Sequence, residues 1–321
     1  MITDKMENDI HSENMVENQF QHIPFSYQQK DIDSCVLTNA IPKSGTYLIN
    51  RIVECLGYWE NTEVQINYDF YYTFPAHGEA GIFECLSSSS LKKLLNGQLV
   101  AAHLPYSKDL EKVIEDVSSA RRIKHIFLYR DPRDIFVSYT RYVTYSLSYI
   151  RTPKSRAKQK FMQQNFSNDE DRLTYIIQEK KDEYSVGKED TYNIKYDFLK
   201  YEPWLHSQYT YAIKFEELYV ELLEVKEKGE FGDVFTKLFD YLEIDVSKID
   251  PIKFYNRVYE RSFTASGEKN KIAQYKHYFK ECHYEMLDNS YFRRILDLFG
   301  YEWSGTVKNN FLNFLNKQIY F

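Results

Sequence analysis

A lysine, two residues with hydroxyl side chains and a glycine stand together in the stretch IPKSGTYLIN, residues 41–50. It follows the short apolar run CVLTNA and precedes a helical pattern, so a strand would turn into a helix within it. The residues at this turn are Lys43, Ser44, Gly45 and Thr46. The N-terminus of a helix carries unpaired N–H groups and a partial positive charge, and glycine lets a ligand approach the backbone. The stretch therefore predicts an anion-binding turn, although its lysine precedes the glycine, unlike the order in the loop G-x-x-x-x-G-K-S/T that binds nucleoside triphosphates.

Three further residues could take part in the same chemistry. Arg130 ends a predicted strand, and a guanidinium fork suits a phosphate. Ser138 lies about two turns into the helix that follows, where it could face the same crevice. His103, in AAHLP, stands at the carboxyl end of another predicted strand, which makes a role as general base reasonable. For each of them taken alone, an ordinary structural role is the favoured interpretation.

The elements that must position these residues alternate along the chain. Apolar runs at 35–41, 98–104 and 123–129 predict strands, residues 209–218 predict another strand that passes into the start of a helix, and amphipathic helical patterns stand between and after them. Ser107 and Asp131 are expected N-caps, and Gly57 is expected to end the first helix. This alternation predicts an α/β fold with a parallel sheet and helices on both faces. The ligand should bind beyond the carboxyl ends of the strands.

Several segments carry weaker signals. Residues 1–30 are polar, and we expect a flexible N-terminal segment followed by one domain over 31–321. Residues 58–85 are rich in aromatic side chains and are interpreted as irregular. Residues 151–160 hold five basic side chains, which favours a solvated loop or an exposed helix face over a flap that closes on an anion. Residues 284–302 predict one C-terminal helix.

Composition narrows the class of protein further. The chain has 321 residues, of which 43% are hydrophobic and 27% charged, as in ordinary globular proteins. Its net charge of −6 argues against a general nucleic-acid binder, which needs a basic face. The four cysteines form no metal-binding pattern, and Cys35 and Cys55 are expected to be buried. No apolar signal core or membrane span is evident, which favours a cytoplasmic enzyme without membrane association.

The motifs together resemble the PAPS-dependent sulfotransferase family, whose donor is 3′-phosphoadenosine 5′-phosphosulfate. IPKSGTYL is similar to its 5′-phosphosulfate loop, commonly Y-P-K-S-G-T-T/S-W, and YRDPRDIFVSYTRY to its 3′-phosphate motif, commonly Y-R-N-P-K/R-D-x-x-V/I-S-x-Y. HLP resembles the segment that carries the catalytic histidine, IKFEEL a later strand that reads YEDL, and IAQYKHYF a late G-D-W-K-N-x-F motif. These similarities run in the family's order from residue 35 to about residue 300.

The resemblance implies a single α/β domain with a P-loop-like phosphosulfate-binding loop, and transfer of a sulfuryl group from PAPS without a metal, leaving PAP. It implies catalytic roles for three residues, namely Lys43 at the sulfuryl group, His103 as the base and Ser138 near the 3′-phosphate. The residues implied in donor binding are Lys43, Ser44, Gly45, Thr46, Tyr47, Arg130, Ser138, Phe215, Lys269 and Lys276. Lys271 is an alternative to Lys269 for the phosphate contacts.

The sequence departs from the family pattern at several of these positions. Tyr47 and Leu48 stand where a small hydroxyl and a tryptophan are usual. Ala101 replaces a lysine that many members have two residues before the histidine, and Phe215 replaces the tyrosine of YEDL. Phe215 could therefore pack on adenine but could not donate a hydrogen bond. Lys43, His103, Arg130 and Ser138 are all retained, so we expect an active enzyme.

The acceptor is not readable from the sequence. Connections rich in Tyr, Phe, Asp and Glu favour an aromatic or cationic small molecule over a polyanionic glycan, although the basic run weakens this inference. A PAP-binding protein without catalytic activity is an alternative, and a P-loop kinase is a more distant one. The oligomeric state is likewise not readable.

Overall fold

A seven-stranded sheet organises the chain. The computed structural model describes residues 32–67, 70–73, 81–84, 91–92, 94–116, 122–147, 153–178, 198–261 and 271–303. The predicted N-terminal segment 1–30, Cys85 and Lys269 lie outside these residues. The strands are β1 (Ser34–Ala40), β2 (Glu60–Asn67), β3 (Phe70–Thr73), β4 (Gly81–Glu84), β5 (Gln98–His103), β6 (Arg122–Tyr129) and β7 (Thr210–Lys214).

Eleven α-helices are formed by the described residues. They are α1 (Thr46–Cys55), α2 (Lys108–Glu115), α3 (Pro132–Tyr145), α4 (Pro153–Asn165), α5 (Asp169–Gln178), α6 (Phe215–Lys228), α7 (Asp233–Tyr241), α8 (Pro251–Arg261), α9 (Tyr275–Tyr278), α10 (Glu281–Leu287) and α11 (Ser290–Leu298). Short 3₁₀ turns lie at Phe198–Lys200, Glu202–Leu205 and Val246–Lys248. The helix termini follow local sequence chemistry: Ser107 caps α2 by accepting from Leu110 N–H, and Asp131 caps α3 by accepting from Arg133 N–H.

The predicted α/β class is confirmed by the strand order, β4-β3-β2-β5-β1-β6-β7. The five strands β2, β5, β1, β6 and β7 are mutually parallel, and only β3 and β4 add antiparallel pairs at one edge. All seven residues of β1 are buried, as expected for a central strand covered on both faces. Cys35 and Cys55 lie in this core, as predicted.

The register brings the carboxyl ends of four strands to the same edge of the sheet. Asn39 of β1 is paired with Ala102 of β5, and Ala40 with Leu128 of β6. On the other side Tyr129 of β6 is paired with Lys214 of β7. The residues that directly follow these strand ends therefore meet around the end of β1, between β5 and β6. This is the edge where an open α/β sheet binds its ligand.

Residues 58–85 were expected to be irregular, and this prediction was wrong, because they contain β2, β3 and β4. Val64 and Ile66 alternate into the core, and Thr62 Oγ1 donates to Leu99 O of β5 at 3.1 Å. The alternation at 62, 64 and 66 is the period of a half-buried strand.

Two helix predictions also need correction. The predicted C-terminal helix is divided into α10 and α11, because Asn289 caps α11 by accepting from Phe292 N–H. The helix that begins after Asp131 is predicted by its pattern to continue toward Tyr149, but it ends at Tyr145. Within the basic run, residues 153–160 are helical, and Arg156 and Lys160 are exposed, in agreement with the interpretation as an exposed helix face. No helix of the described part of the chain is long and apolar enough to cross a membrane.

Candidate active site

The turn after β1 adopts an unusual backbone. Lys43 has a φ of 71° and Gly45 a φ of 106°, and Ser44 N–H donates to Ile41 O at 2.9 Å. α1 begins directly after Gly45, and no side chain caps that end of the helix. Because the first N–H groups of a helix need partners, an uncapped N-terminus behind a curled turn is suited to an anion.

Gly45 is required for a second reason, since the ring of Phe215 lies against it. A Cβ atom at position 45 would come within 2.6 Å of Cδ2 and 2.7 Å of Cε2 of Phe215. Phe215 is 2% exposed and stacks on Tyr219, with 5.6 Å between the ring centroids. Tyr219 therefore holds the Phe215 ring in place against Gly45.

Two buried polar atoms at this edge are left without a partner. Ser44 Oγ and Arg130 Nε are both inaccessible to solvent and make no hydrogen bond within the described residues. Buried polar groups nearly always have partners, and leaving one unpaired costs about 1–3 kcal/mol. One atom belongs to the turn after β1 and the other to the residue after β6. Both atoms are donors that acceptor oxygens of a ligand could satisfy.

Arg130 is fixed in place on all its other sides. Nη2 pairs with Asp134 Oδ2 at 3.2 Å and also donates to Lys271 O, while Nη1 lies 3.5 Å from Lys43 O. The guanidinium carbon lies 4.6 Å from the centroid of the Phe215 ring. The fork is thus held rigidly between the turn after β1 and the segment at 271.

Lys271 brings a second cation to Arg130. Its pKa is lowered by burial and by the nearby positive charge of Arg130. Its Nζ atom lies 5.5 Å from the centroid of Tyr219, the ring that stacks on Phe215. Two neighbouring cations over one pair of stacked rings create a positive potential, which an anion between them would neutralise.

His103 is oriented by the backbone. Its Nδ1 lies 2.7 Å from Ala40 O, and because a carbonyl oxygen only accepts, Nδ1 carries the proton. Burial lowers the pKa of His103 to about 4, and the charge of Lys43 adds to the lowering while the Ala40 contact opposes it. The ring is therefore neutral at pH 7, and its Nε2 lone pair can accept a proton.

Lys43 lies against Tyr142, on the face of α3 that also carries Ser138. The ammonium of Lys43 lies 3.6 Å from the centroid of the Tyr142 ring, close enough for a strong cation–π contact. Ser138 is one turn before Tyr142, so both side chains project from the same side of the helix. Ser138 is half-buried. α3 thus faces the turn after β1 along a surface formed by a hydroxyl and an aromatic ring.

The remaining predicted residues lie in different surroundings. Thr46 is buried at the start of α1, whereas the side chain of Tyr47 is 60% exposed. Phe215 lies beneath Gly45 and Arg130, and its burial leaves little of the ring for a base to stack on. Lys276 is half-buried on α9, where burial, followed by the charge of Arg133, lowers its pKa.

Three residues at this edge were missed or given less weight by sequence reasoning. Tyr142 ends the stretch YRDPRDIFVSYTRY, but the sequence predicted no role for it. Asp134 was not among the predicted site residues, although it stands four residues after Arg130, at the spacing of a helical ion pair. Lys271 was only an alternative to Lys269. No group of acidic, histidine or cysteine side chains suited to a metal is present in the ranges that the structure describes.

No protein-family model matches the sequence, and no curated protein matches it. Among solved structures, the chain is similar to mouse sulfotransferase SULT7A1 complexed with PAP, at 16% identity and a TM-score of 0.46, over 84% of this chain and 88% of that one. It is also similar to retinol dehydratase in complex with androsterone and the inactive cofactor PAP, at 13% identity and a TM-score of 0.46, over 84% of this chain and 82% of that one. A third structure, retinol dehydratase with retinol and PAP, has 15% identity and a TM-score of 0.43, over 88% and 84%.

Proposed function

We propose that this protein is a PAPS-dependent sulfotransferase that acts on a small-molecule acceptor. The observation that carries the proposal is the pair of buried, unpartnered polar atoms at adjacent strand ends, Ser44 Oγ and Arg130 Nε. A nucleotide with one phosphate at its 5′ position and another at its 3′ position would satisfy both. The family motifs found in the sequence at these same two places favour this ligand.

The residues around the turn have complementary roles in this proposal. Ser44, Gly45, Thr46 and the N-terminus of α1 would hold the 5′-phosphate, and Arg130, Ser138 and Lys271 the 3′-phosphate. Lys43 would leave the Tyr142 ring and stabilise the charge that develops on the bridging oxygen of the leaving phosphate. A preorganised donor at such an oxygen is typically worth about 3–4 kcal/mol of transition-state stabilisation.

The transfer step needs a base and an in-line geometry. The acceptor hydroxyl or amine gives its proton to Nε2 of His103 as its oxygen or nitrogen forms the new bond to sulfur. The bond between sulfur and the bridging oxygen breaks, and PAP leaves with the bonding electron pair. Positioning and charge stabilisation dominate such transfers, because the protein forms no covalent bond itself. The neutral state and the fixed tautomer of His103 support its assignment as the base.

Donor binding is tested first by thermal unfolding with PAP or ATP. PAP at 100 times its dissociation constant should stabilise the fold by about 2.7 kcal/mol, with a higher melting temperature, whereas ATP at the same concentration should have little effect. An equal response to both nucleotides, or none to PAP, would contradict the proposed donor.

Catalysis is tested by a screen of small acceptors with labelled PAPS. We expect label to move to at least one hydroxyl or amine compound and PAP to accumulate with it. The matched control is His103→Ala, which should bind PAP normally and transfer label about 10²–10⁴-fold more slowly. PAP binding without any consumption of PAPS across the screen would instead indicate a nucleotide-binding protein without catalytic activity.

A further inference from the structure

The carboxylate of Asp134 is completely buried directly behind the candidate site. It lies in the first turn of α3 and has 0% exposure. Oδ2 receives Nη2 of Arg130 at 3.2 Å and the backbone N–H of Ala273 at 2.8 Å. Oδ1 receives the backbone N–H of Tyr275 at 3.0 Å. One carboxylate therefore joins the arginine after β6 to a segment about 140 residues further along the chain.

The segment that Asp134 holds does not adopt its conformation by local preference. Ala273 has a φ of 55°, in the left-handed region that alanine normally avoids. Its N–H and that of Tyr275, the first residue of α9, both point at the carboxylate. A strained residue persists when its surroundings determine its conformation, and here Asp134 provides the hydrogen bonds that do so.

Arg130 is aimed by the same contacts. Its Nη2 is shared between Asp134 and the carbonyl of Lys271, so the guanidinium plane cannot rotate freely. With that nitrogen engaged, Nε remains the buried donor without a partner in the described structure. Lys271 is two residues before Ala273, so the same carboxylate also fixes the position of the second cation.

We propose that Asp134 is a positioning residue for binding of the donor's 3′-phosphate. It holds Arg130 and Lys271 where they can contact that phosphate, and it does not touch the phosphate itself. This inference rests on the proposed function, because the 3′-phosphate is the feature that distinguishes PAP from adenosine 5′-phosphate. A carboxylate with a purely structural role would affect the binding of both nucleotides alike. Asp134 should affect only the nucleotide that carries the 3′-phosphate.

The test is Asp134→Asn, measured by calorimetric titration with PAP and with adenosine 5′-phosphate. The amide keeps the shape but loses the charge and one of the acceptors, so we expect the affinity for PAP to fall roughly 10- to 100-fold. The affinity for adenosine 5′-phosphate should change less than about threefold, because this ligand has no 3′-phosphate for Arg130 to bind. Equal losses for both ligands, or no loss for PAP, would overturn the inference.

Glu221→Gln is the matched control. Glu221 of α6 is also a buried carboxylate that accepts two backbone N–H groups, from Val234 at 2.8 Å and Phe235 at 2.7 Å, but these lie at the start of α7. Its substitution should lower the stability of the fold and leave the ratio of the two affinities unchanged. A wild-type protein that binds neither nucleotide would contradict the proposed function. If the wild type prefers PAP and the Asp134→Asn variant keeps the same preference, only the role of Asp134 would be contradicted.

A double-mutant cycle keeps the test informative if Asp134→Asn folds poorly. Arg130→Met removes one of the two groups through which Asp134 is proposed to act, so adding Asp134→Asn should lower the affinity for PAP by a clearly smaller factor than it does in the wild type. The double variant should also unfold at a higher temperature than Arg130→Met alone, because it no longer buries an unpaired carboxylate. Additive losses in PAP affinity would show that Asp134 does not act through Arg130.

Discussion

Replacement of Gly45 by alanine tests whether the turn after β1 depends on its contact with the buried ring of Phe215. The substitution has two separable costs. The φ of 106° is unfavourable for any residue with a Cβ atom, at about 1–2 kcal/mol. The new methyl group would also lie 2.6 Å from the Phe215 ring, and overpacking of this kind typically costs a further 1–3 kcal/mol, roughly.

The Phe215 ring cannot retreat easily. It stacks on Tyr219 at an interplanar angle of 10°, and Arg130 covers another part of it. We therefore expect Gly45→Ala to destabilise the fold by about 2–5 kcal/mol, from the sum of the two costs. We also expect it to weaken PAP binding, because the turn must shift away from the ring.

Gly57→Ala supplies the matched control. Gly57 also has a positive φ, 74°, but a Cβ atom there would meet nothing within 4 Å. Its substitution should therefore cost only the backbone term, about 1–2 kcal/mol. Both variants are compared with the wild type by urea unfolding and by titration with PAP. If Gly45→Ala and Gly57→Ala destabilised the fold equally and left PAP binding unchanged, the proposed contact between turn and ring would be refuted.

Three further predictions follow from other contacts. Ser44→Ala should make the free protein at least as stable as the wild type, because it removes a buried Oγ that has no partner in the described structure. PAP affinity measured by calorimetry should fall about tenfold, and a loss of stability without a loss of affinity would contradict the assignment. His103→Ala should lower turnover of labelled PAPS by about 10²–10⁴-fold, and in the wild type the acid limb of kcat/KM should inflect near the His103 pKa of about 4, since only the neutral ring accepts a proton; an inflection near 6.5 would argue against this buried histidine as the base. Burial raises the pKa of Glu216 to about 7 from 4.5, so the folded state binds the proton more tightly than the unfolded state. The stability of the wild type, measured by urea unfolding, should therefore fall by at most about 3 kcal/mol as the pH rises from 4.5 to beyond 7. Glu216→Gln should lose this pH dependence, and an unchanged dependence in that variant would assign it to another group.

Local chemistry made much of the framework predictable. The caps at Ser107 and Asp131 and the buried run of β1 depend on neighbours within a few residues, and a sequence displays such neighbours directly. The alternation of strands and helices then implies a parallel sheet. The edge strands β3 and β4 were not predicted, because an antiparallel addition at the sheet edge depends on pairing partners rather than on a local period.

The sequence by itself determined that a lysine, hydroxyls and a glycine stand at a strand-to-helix turn, with an arginine, a serine and a histidine at other strand and helix ends. Only the tertiary structure decided which side chains support them. The supporting contacts are those of Tyr142 with Lys43, of Phe215 with Gly45, and of Asp134 with Arg130 and Ala273. They join residues roughly 100 to 170 positions apart, or one helical turn apart, and the sequence pattern did not predict them. Such contacts depend on how whole elements pack, because burial and charge pairing are settled only when the sheet edge closes around them.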